Sequence, residues 1–357
     1  MHAEVSSQSA GDVYYPYFDW LRFVLSNVVM LGHSGLLGDS IPKSGNLAVQ
    51  VFFALSGWLI GGILLAPKRT SLPQLFFNRS MRIWASYCTA FAFLGVASLL
   101  REPLTVRWLE FMAYKATFVW NLFGTQQLAT QVAAMPLRGT GNHFWSINAE
   151  EQFYLLAPVV IAIPFFGRRV ALWLLIAVVC CWSDMYASIV LGVFAASINQ
   201  AHPGFQKLES VRIASAVAGL AAAAVMATSL DYEHAAPVFG VCTVLLLAVE
   251  SQRARLGSFS GGLSCQLCLN HWIGGFAATV LLIPFGLGHD PIHLYLGVVL
   301  NLCSAPALYW YVDRRLLANR KAWFTPLRGC IAMSLAYAIV TVDILYGLAM
   351  LRMFEHA

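Results

Sequence analysis

The sequence predicts an all-α protein, a polytopic transmembrane bundle of about 10–12 spanning helices with a cytoplasmic N-terminus. Three observations carry this. Charged residues make up 11% of the chain and hydrophobic ones 59%, whereas a soluble domain carries about a quarter charged residues. Mean hydropathy is +0.67. Apolar runs recur from Tyr17 to Met350, many near the roughly 20 residues a helix needs to cross the hydrocarbon core.

In chain order, Met1 to Asp12 is polar and has neither a basic n-region nor a small-residue cleavage site. Residues 1–15 are therefore expected as a short cytoplasmic tail and the first span as a retained one. Hydropathy places spans at roughly 16–37, 46–66, 82–100, 144–166, 170–183, 185–199, 211–229, 236–250, 259–283, 292–312 and 328–351. Ser183 and Asp184 divide the short 170–199 pair, and 108–124 is apolar enough for a further helix or a re-entrant piece. No internal repeat, low-complexity tract or long linker interrupts this series, so 1–357 reads as a single integral-membrane domain.

Basic residues follow the same topology. The inside loops collect Lys68, Arg69, Arg79, Arg82, Arg168, Arg169, Lys207, Arg212, Arg253, Arg255, Arg314, Arg315, Arg320, Lys321 and Arg328. The outside receives Lys43, Arg101, Arg107, Lys115, Arg138 and Arg352. That bias follows the positive-inside rule. The net charge of +5 is spread along the chain and not gathered on one face, which argues against nucleic-acid binding. Most of the eight cysteines lie in apolar runs, where a thiol behaves as a small hydrophobe, and no disulfide framework is expected. Cys265 and Cys268 form a C-x-x-C without a second ligand pair, so no metal site is expected.

Chemistry is expected where polar residues interrupt the apolar runs. The first span carries Asp19, Arg22 and His33. A charge at a helix centre costs about 2.5–3.5 kcal/mol on insertion scales, so such groups usually face a polar cavity. Eleven residues return Arg22 and His33 to within roughly 20° of each other, about 16 Å apart along the axis. Asp19, three residues before Arg22, is placed to pair with it. His33 suits a base that takes a proton from a hydroxyl; from the residue alone, a histidine bonded to a neighbouring helix is the other reading, and the aligned Arg22 favours function.

Arg79 and Arg82 stand three apart at the expected cytoplasmic entry of the third span, where a pair of guanidinium forks suits phosphate; simple positive-inside anchoring is the alternative. The stretch His143 to Tyr154 opens an outer helix and brings Glu150 and Glu151 to a membrane boundary. Asn148 with Glu151 reads as a helix cap, which explains one glutamate, while the other is expected to orient a histidine or bind acceptor hydroxyls. Asn270 and His271 break a later span, and Asp313-Arg314-Arg315 reads as boundary anchoring with a local ion pair.

In this order, Phe18-Asp19-Trp20-Leu21-Arg22 through His33, Val51 to Ile60, Arg79 to Arg82 and Trp145 to Tyr154 resemble the acyltransferase-3 family of bacterial integral-membrane acyltransferases. Members of that family O-acylate surface glycans and other hydroxylated compounds. The resemblance spans most of the chain and departs from the family late, where Cys265 and Cys268 replace the tyrosines of a Ser-Tyr-x-x-Tyr-Leu-x-His stretch that here ends at His271. It implies that His33 is catalytic and supported by Arg22, and that Arg79 and Arg82 bind the donor's phosphates. Trp145, Ser146, Tyr154 and His271 are expected to meet the acceptor. The implied activity is transfer of an acyl group, acetyl by family preference, from cytoplasmic acyl-CoA to an extracytoplasmic hydroxyl, with a carbohydrate as acceptor. Acyl-CoA is expected as a donor substrate, with no permanently bound cofactor. The expected location is the bacterial inner membrane. Some relatives carry a fused esterase-like domain, and this chain is expected to work alone or with a separate delivery partner. The alternatives from other classes are a transporter or flippase for a polar or acylated lipid and a membrane sensor or assembly subunit.

Overall fold

The structure is a computed structural model that describes residues 14–37, 43–66, 71–228, 231–252, 255–287 and 291–355. Most of the expected N-terminal tail, and Lys68, Arg69 and Arg253, lie outside the described residues. Every element named below is helical, as the hydropathy predicts.

The helices are α1 (Pro16–His33), α2 (Ser44–Leu65), α3 (Leu72–Leu99), α4 (Val106–Ala116), α5 (Leu128–Gln131), α6 (Phe144–Ala162) and α7 (Val170–Trp182). They continue as α8 (Ala187–Ala201), α9 (Glu209–Ala227), α10 (Tyr232–Leu247), α11 (Arg255–Leu282), α12 (Ile292–Leu308), α13 (Arg314–Trp323) and α14 (Pro326–Glu355). Each of the eleven expected spans coincides with one of them. Six segments are long and apolar enough to cross a membrane: α2, α3, α9, α11, the continuous 292–323 helix and α14. α7, α8 and α10 are apolar but shorter, and α1 and α6 carry the ionisable residues. Outward-facing side chains such as Val178, Val179, Val217 and Leu220 are exposed, as a lipid-facing surface requires.

The third span begins ten residues earlier than hydropathy placed it. Ser71 caps the helix by accepting from the Gln74 N–H at 3.4 Å, and Pro73 lies in the first turn. The polar run Asn78–Arg82 therefore lies inside α3. Arg79 stands seven residues past Leu72, about 10 Å along the axis. A hydropathy window reads those charges as a boundary; the helix runs through because Arg79 finds carboxylates inside the bundle. The 108–124 stretch becomes α4 followed by a π-helical turn at Trp120–Gly124.

Small residues set the helix spacings. A Cβ on Gly57 of α2 would lie 1.9 Å from the Ile189 carbonyl oxygen, and one on Gly192 of α8 would lie 2.1 Å from that of Ala54. The two backbones thus touch, as close helix packing in lipid demands. Similarly, Gly274 of α11 faces the Gly297 carbonyl of α12 with no room for a methyl group. Helices α1 and α11 run parallel: the Tyr14 hydroxyl lies 3.3 Å from Ser258 at one end, and the His33 and His271 rings meet at the other, with centroids 5.0 Å apart.

Candidate active site

The site is built along α1. Pro16 starts the helix, with its missing N–H harmless in the first turn, and Asp19 completes that turn. Arg22 Nη1 donates to Asp19 Oδ1 at 3.2 Å, and the Tyr14 hydroxyl donates to Asp19 Oδ2. Asp19 thus receives two donors and leaves the rest of the Arg22 fork unused by carboxylates among the described residues. His33, the last residue of α1, places Nδ1 2.8 Å from the Val29 carbonyl oxygen. A carbonyl only accepts, so Nδ1 carries the proton and Nε2 keeps its lone pair, the tautomer a proton acceptor needs.

Two further imidazoles join it. The centroids of His143 and His271 are 4.3 Å apart, and those of His33 and His143 are 6.1 Å apart. Both follow the same rule: His143 Nε2 donates to the Leu269 carbonyl at 3.0 Å, and His271 Nδ1 donates to that of Cys268 at 2.8 Å. Each ring thereby keeps one lone pair. All three line a cavity of about 310 Å³ shared with Asn142, Trp272, His293 and Asn301. Asn301 accepts from the Gly274 N–H at 2.9 Å and donates to the His271 carbonyl, pinning the part of α11 that carries His271. Among the described residues, no three His, Cys, Asp or Glu side chains are placed to hold a metal ion.

A second layer crosses the bundle between α3 and α6. Arg79 Nε donates to Glu151 Oε1 at 2.9 Å, and Nη1 donates to Glu150 Oε1 at 3.4 Å. Glu150 also accepts from Ser56 Oγ of α2 at 2.7 Å. The Arg79 guanidinium lies 3.1 Å from the ring centroid of Tyr154, and only 7% of its side chain is exposed. Arg79 and Arg82 are therefore not equivalent. Arg79 is consumed by two carboxylates and an aromatic face, whereas Arg82, three residues on, is exposed and within electrostatic range of Arg22, Asp313 and Tyr154.

A buried polar chain runs from this level toward the histidines. Asp313 lies in the π-helical turn Tyr309–Asp313 and accepts from Ser86 Oγ at 2.6 Å and Gln266 Nε2 at 2.9 Å. Asn270 then donates to Gln266 at 2.5 Å, one residue before His271. Asp313 is thus a buried acceptor, not the boundary anchor expected from its neighbours; Arg314 instead lies over the Trp310 ring.

The remaining expectations fall as follows. Asn148 is not a cap: α6 begins at Phe144, and Asn148 sits a turn inside, donating to the Tyr87 hydroxyl at 3.2 Å. Glu150 and Glu151 bind Arg79 and Ser56, while the imidazoles rest on backbone carbonyls. Of the four residues expected at the acceptor, His271 lines the cavity. Ser146 is buried and donates to the His143 carbonyl at 3.0 Å, Trp145 packs edge-on against Phe53, and Tyr154 stacks on Arg79. Sequence reasoning missed His143, His293, Asn142 and Asn301 as cavity residues. The one available signal was that His143 directly precedes a span, at the same level as His33.

Comparison with known proteins identifies the family. The family described as Acyltransferase domain matches residues 15–342. A protein of Staphylococcus aureus strain COL named "Putative O-acetyltransferase SACOL0978" is 26% identical over 53% of this chain and 31% of its own length. The O-acetyltransferase OatA of Staphylococcus aureus strain NCTC 8325 / PS 47 is 28% identical over 42% of this chain and 25% of its own. The matched segment thus spans less than a third of either relative. No solved structure matches the chain. With the family match covering nearly all of its length, this chain belongs to the Acyltransferase domain family, acyltransferase-3, as a multi-pass membrane protein.

Proposed function

We propose that the protein is a membrane O-acyltransferase that moves an acetyl group from cytoplasmic acetyl-CoA to a hydroxyl of a glycan or lipid-linked sugar on the far face of the bacterial inner membrane. The observation that carries this reading is the placement of Arg22 and His33 on one helix, about 16 Å apart. The cation stands at one end of the bundle and an imidazole lone pair opens into a cavity at the other. Arg82 and Arg22 meet the donor's phosphates at the inner mouth, where guanidinium groups bind phosphate well. Arg79 takes a different part in this reading, locking α3 to α6.

The acyl thioester is drawn to His33 from one side, and the acceptor hydroxyl enters the histidine cavity from the other. His33 Nε2 takes the hydroxyl proton as the oxygen attacks the thioester carbonyl; the C–S bond breaks, and the proton passes to the departing thiolate. One ester and one free thiol result. The Nδ1–H bond to Val29 fixes the ring throughout, so the basic nitrogen needs no reorientation.

Proteoliposomes test this directly. Labelled acetyl-CoA confined to one side and 4-nitrophenyl glycosides supplied on the other are expected to yield labelled ester on the acceptor side. Uptake of acceptor without ester formation would favour a transporter.

A further inference from the structure

Resting on that reading, we propose that Lys115 is a positioning residue: it fixes the backbone that presents His143 to the cavity and thereby governs acceptor use, without a part in donor binding. Lys115 sits near the end of α4 and is 0% exposed. Burying an ammonium is costly unless it is paired, yet no carboxylate lies within ion-pair distance of it among the described residues. Its Nζ instead donates to the Gly141 carbonyl at 3.1 Å and lies 3.2 Å from the centroid of the Trp120 ring. Trp120 in turn donates from Nε1 to the Asn142 backbone and side-chain oxygens, both at 3.2 Å. The two residues immediately before His143 are thus hydrogen-bonded by side chains of the 106–124 segment, while Leu94 of α3 packs against Gly141.

That hold acts on a backbone that needs it. Leu137 and Arg138 adopt left-handed conformations at φ 44° and 50°, and Gly141 has φ +78°. Gly suits such a conformation, whereas Leu and Arg are strained in it. Glu102 restrains the start of the bend by accepting from the Leu137 N–H at 2.9 Å, and Lys115 restrains its end. A methionine would fill the same space without an ammonium to desolvate. What the lysine Nζ supplies, and a thioether cannot, is the donated bond to Gly141 and the N–H contact with the indole face. Beyond the bend, the His143 ring is fixed by Leu269, which leaves Nδ1 for the acceptor cavity.

The test uses the full chain in lipid nanodiscs. Transfer from labelled acetyl-CoA to 4-nitrophenyl glucoside, galactoside and N-acetylglucosaminide is followed alongside calorimetric binding of acetyl-CoA. Lys115→Met is expected to raise the acceptor KM about tenfold, the loss of one buried hydrogen bond, with acetyl-CoA affinity unchanged. Lys115→Arg is expected to recover most of that loss, and Lys115→Met/His143→Gln is expected to be no worse than His143→Gln alone. Losses that multiply in the double variant, or donor affinity falling in step with acceptor KM, would overturn the proposal. Should Lys115→Met fail to fold, Trp120→Phe deletes the Asn142 bonds and weakens the ring face on which Lys115 rests; an unchanged acceptor KM there also overturns it. Wild-type protein that neither binds nor turns over acetyl-CoA defeats the acyl-transfer reading and the proposal with it. Normal wild-type transfer that Lys115→Met leaves untouched defeats the proposal only.

Discussion

Replacing Arg79 by methionine removes the one cation that two carboxylates of α6 share. The Glu151 side chain is 5% exposed and Glu150 15%, so both depend on protein groups, not water, for stabilisation. Glu150 retains Ser56 as a donor; Glu151 loses its 2.9 Å partner. Stranding a buried charge in this way costs about 3–5 kcal/mol, and loss of the stack on Tyr154 adds about 1 kcal/mol. Arg79→Met is therefore expected to destabilise the protein by about 4–6 kcal/mol. Adding Glu151→Gln removes the stranded charge and should recover about half of the loss, since the remaining amide demands far less solvation. Equilibrium unfolding with sodium dodecyl sulfate in mixed micelles, followed by circular dichroism, measures both. A variant of unchanged stability whose only defect is a higher KM for acetyl-CoA would refute the reasoning and return Arg79 to the donor's phosphates.

Two further outcomes follow from the same geometry. Gly57→Ala sets a methyl group 1.9 Å from the Ile189 carbonyl oxygen, so α2 and α8 must part; a loss of about 1–3 kcal/mol is expected in the same unfolding assay, and a neutral result would contradict the close approach. Asn301→Leu removes the side chain that bonds both the Gly274 N–H and the His271 carbonyl of α11, which should cost about 1–3 kcal/mol for the two bonds and lower transfer activity more than acetyl-CoA binding; equal loss of both in nanodiscs would place Asn301 outside the acceptor side.

The helical bundle was legible because lipid makes length and hydropathy nearly sufficient: all eleven expected spans recur as helices. What hydropathy misread was the start of α3. There, Arg79 looks like a loop residue until Glu150 and Glu151, 71 and 72 residues away in sequence, supply its partners. Asp313 was misread for the same reason, since its donors Ser86 and Gln266 lie on other helices. Asn148 was misread because a cap signature says nothing about where the helix actually begins. By contrast, the alignment of Arg22 with His33 rests on helix periodicity within one element, and local geometry of that kind survives folding unchanged. His143 was invisible as a cavity residue because its place depends on a strained bend and a buried lysine, neither of which leaves a periodic trace.

In the proposed mechanism the Nε2 lone pair of His33, set by the bond to Val29, takes the acceptor's proton. Single-turnover transfer from labelled acetyl-CoA by wild type and His33→Ala, with acetyl-CoA affinity measured on the same nanodiscs, tests it most directly. Donor binding within about twofold of wild type and a transfer rate lower by about 10²–10⁴ are expected of His33→Ala. Transfer at an undiminished rate by His33→Ala would contradict it.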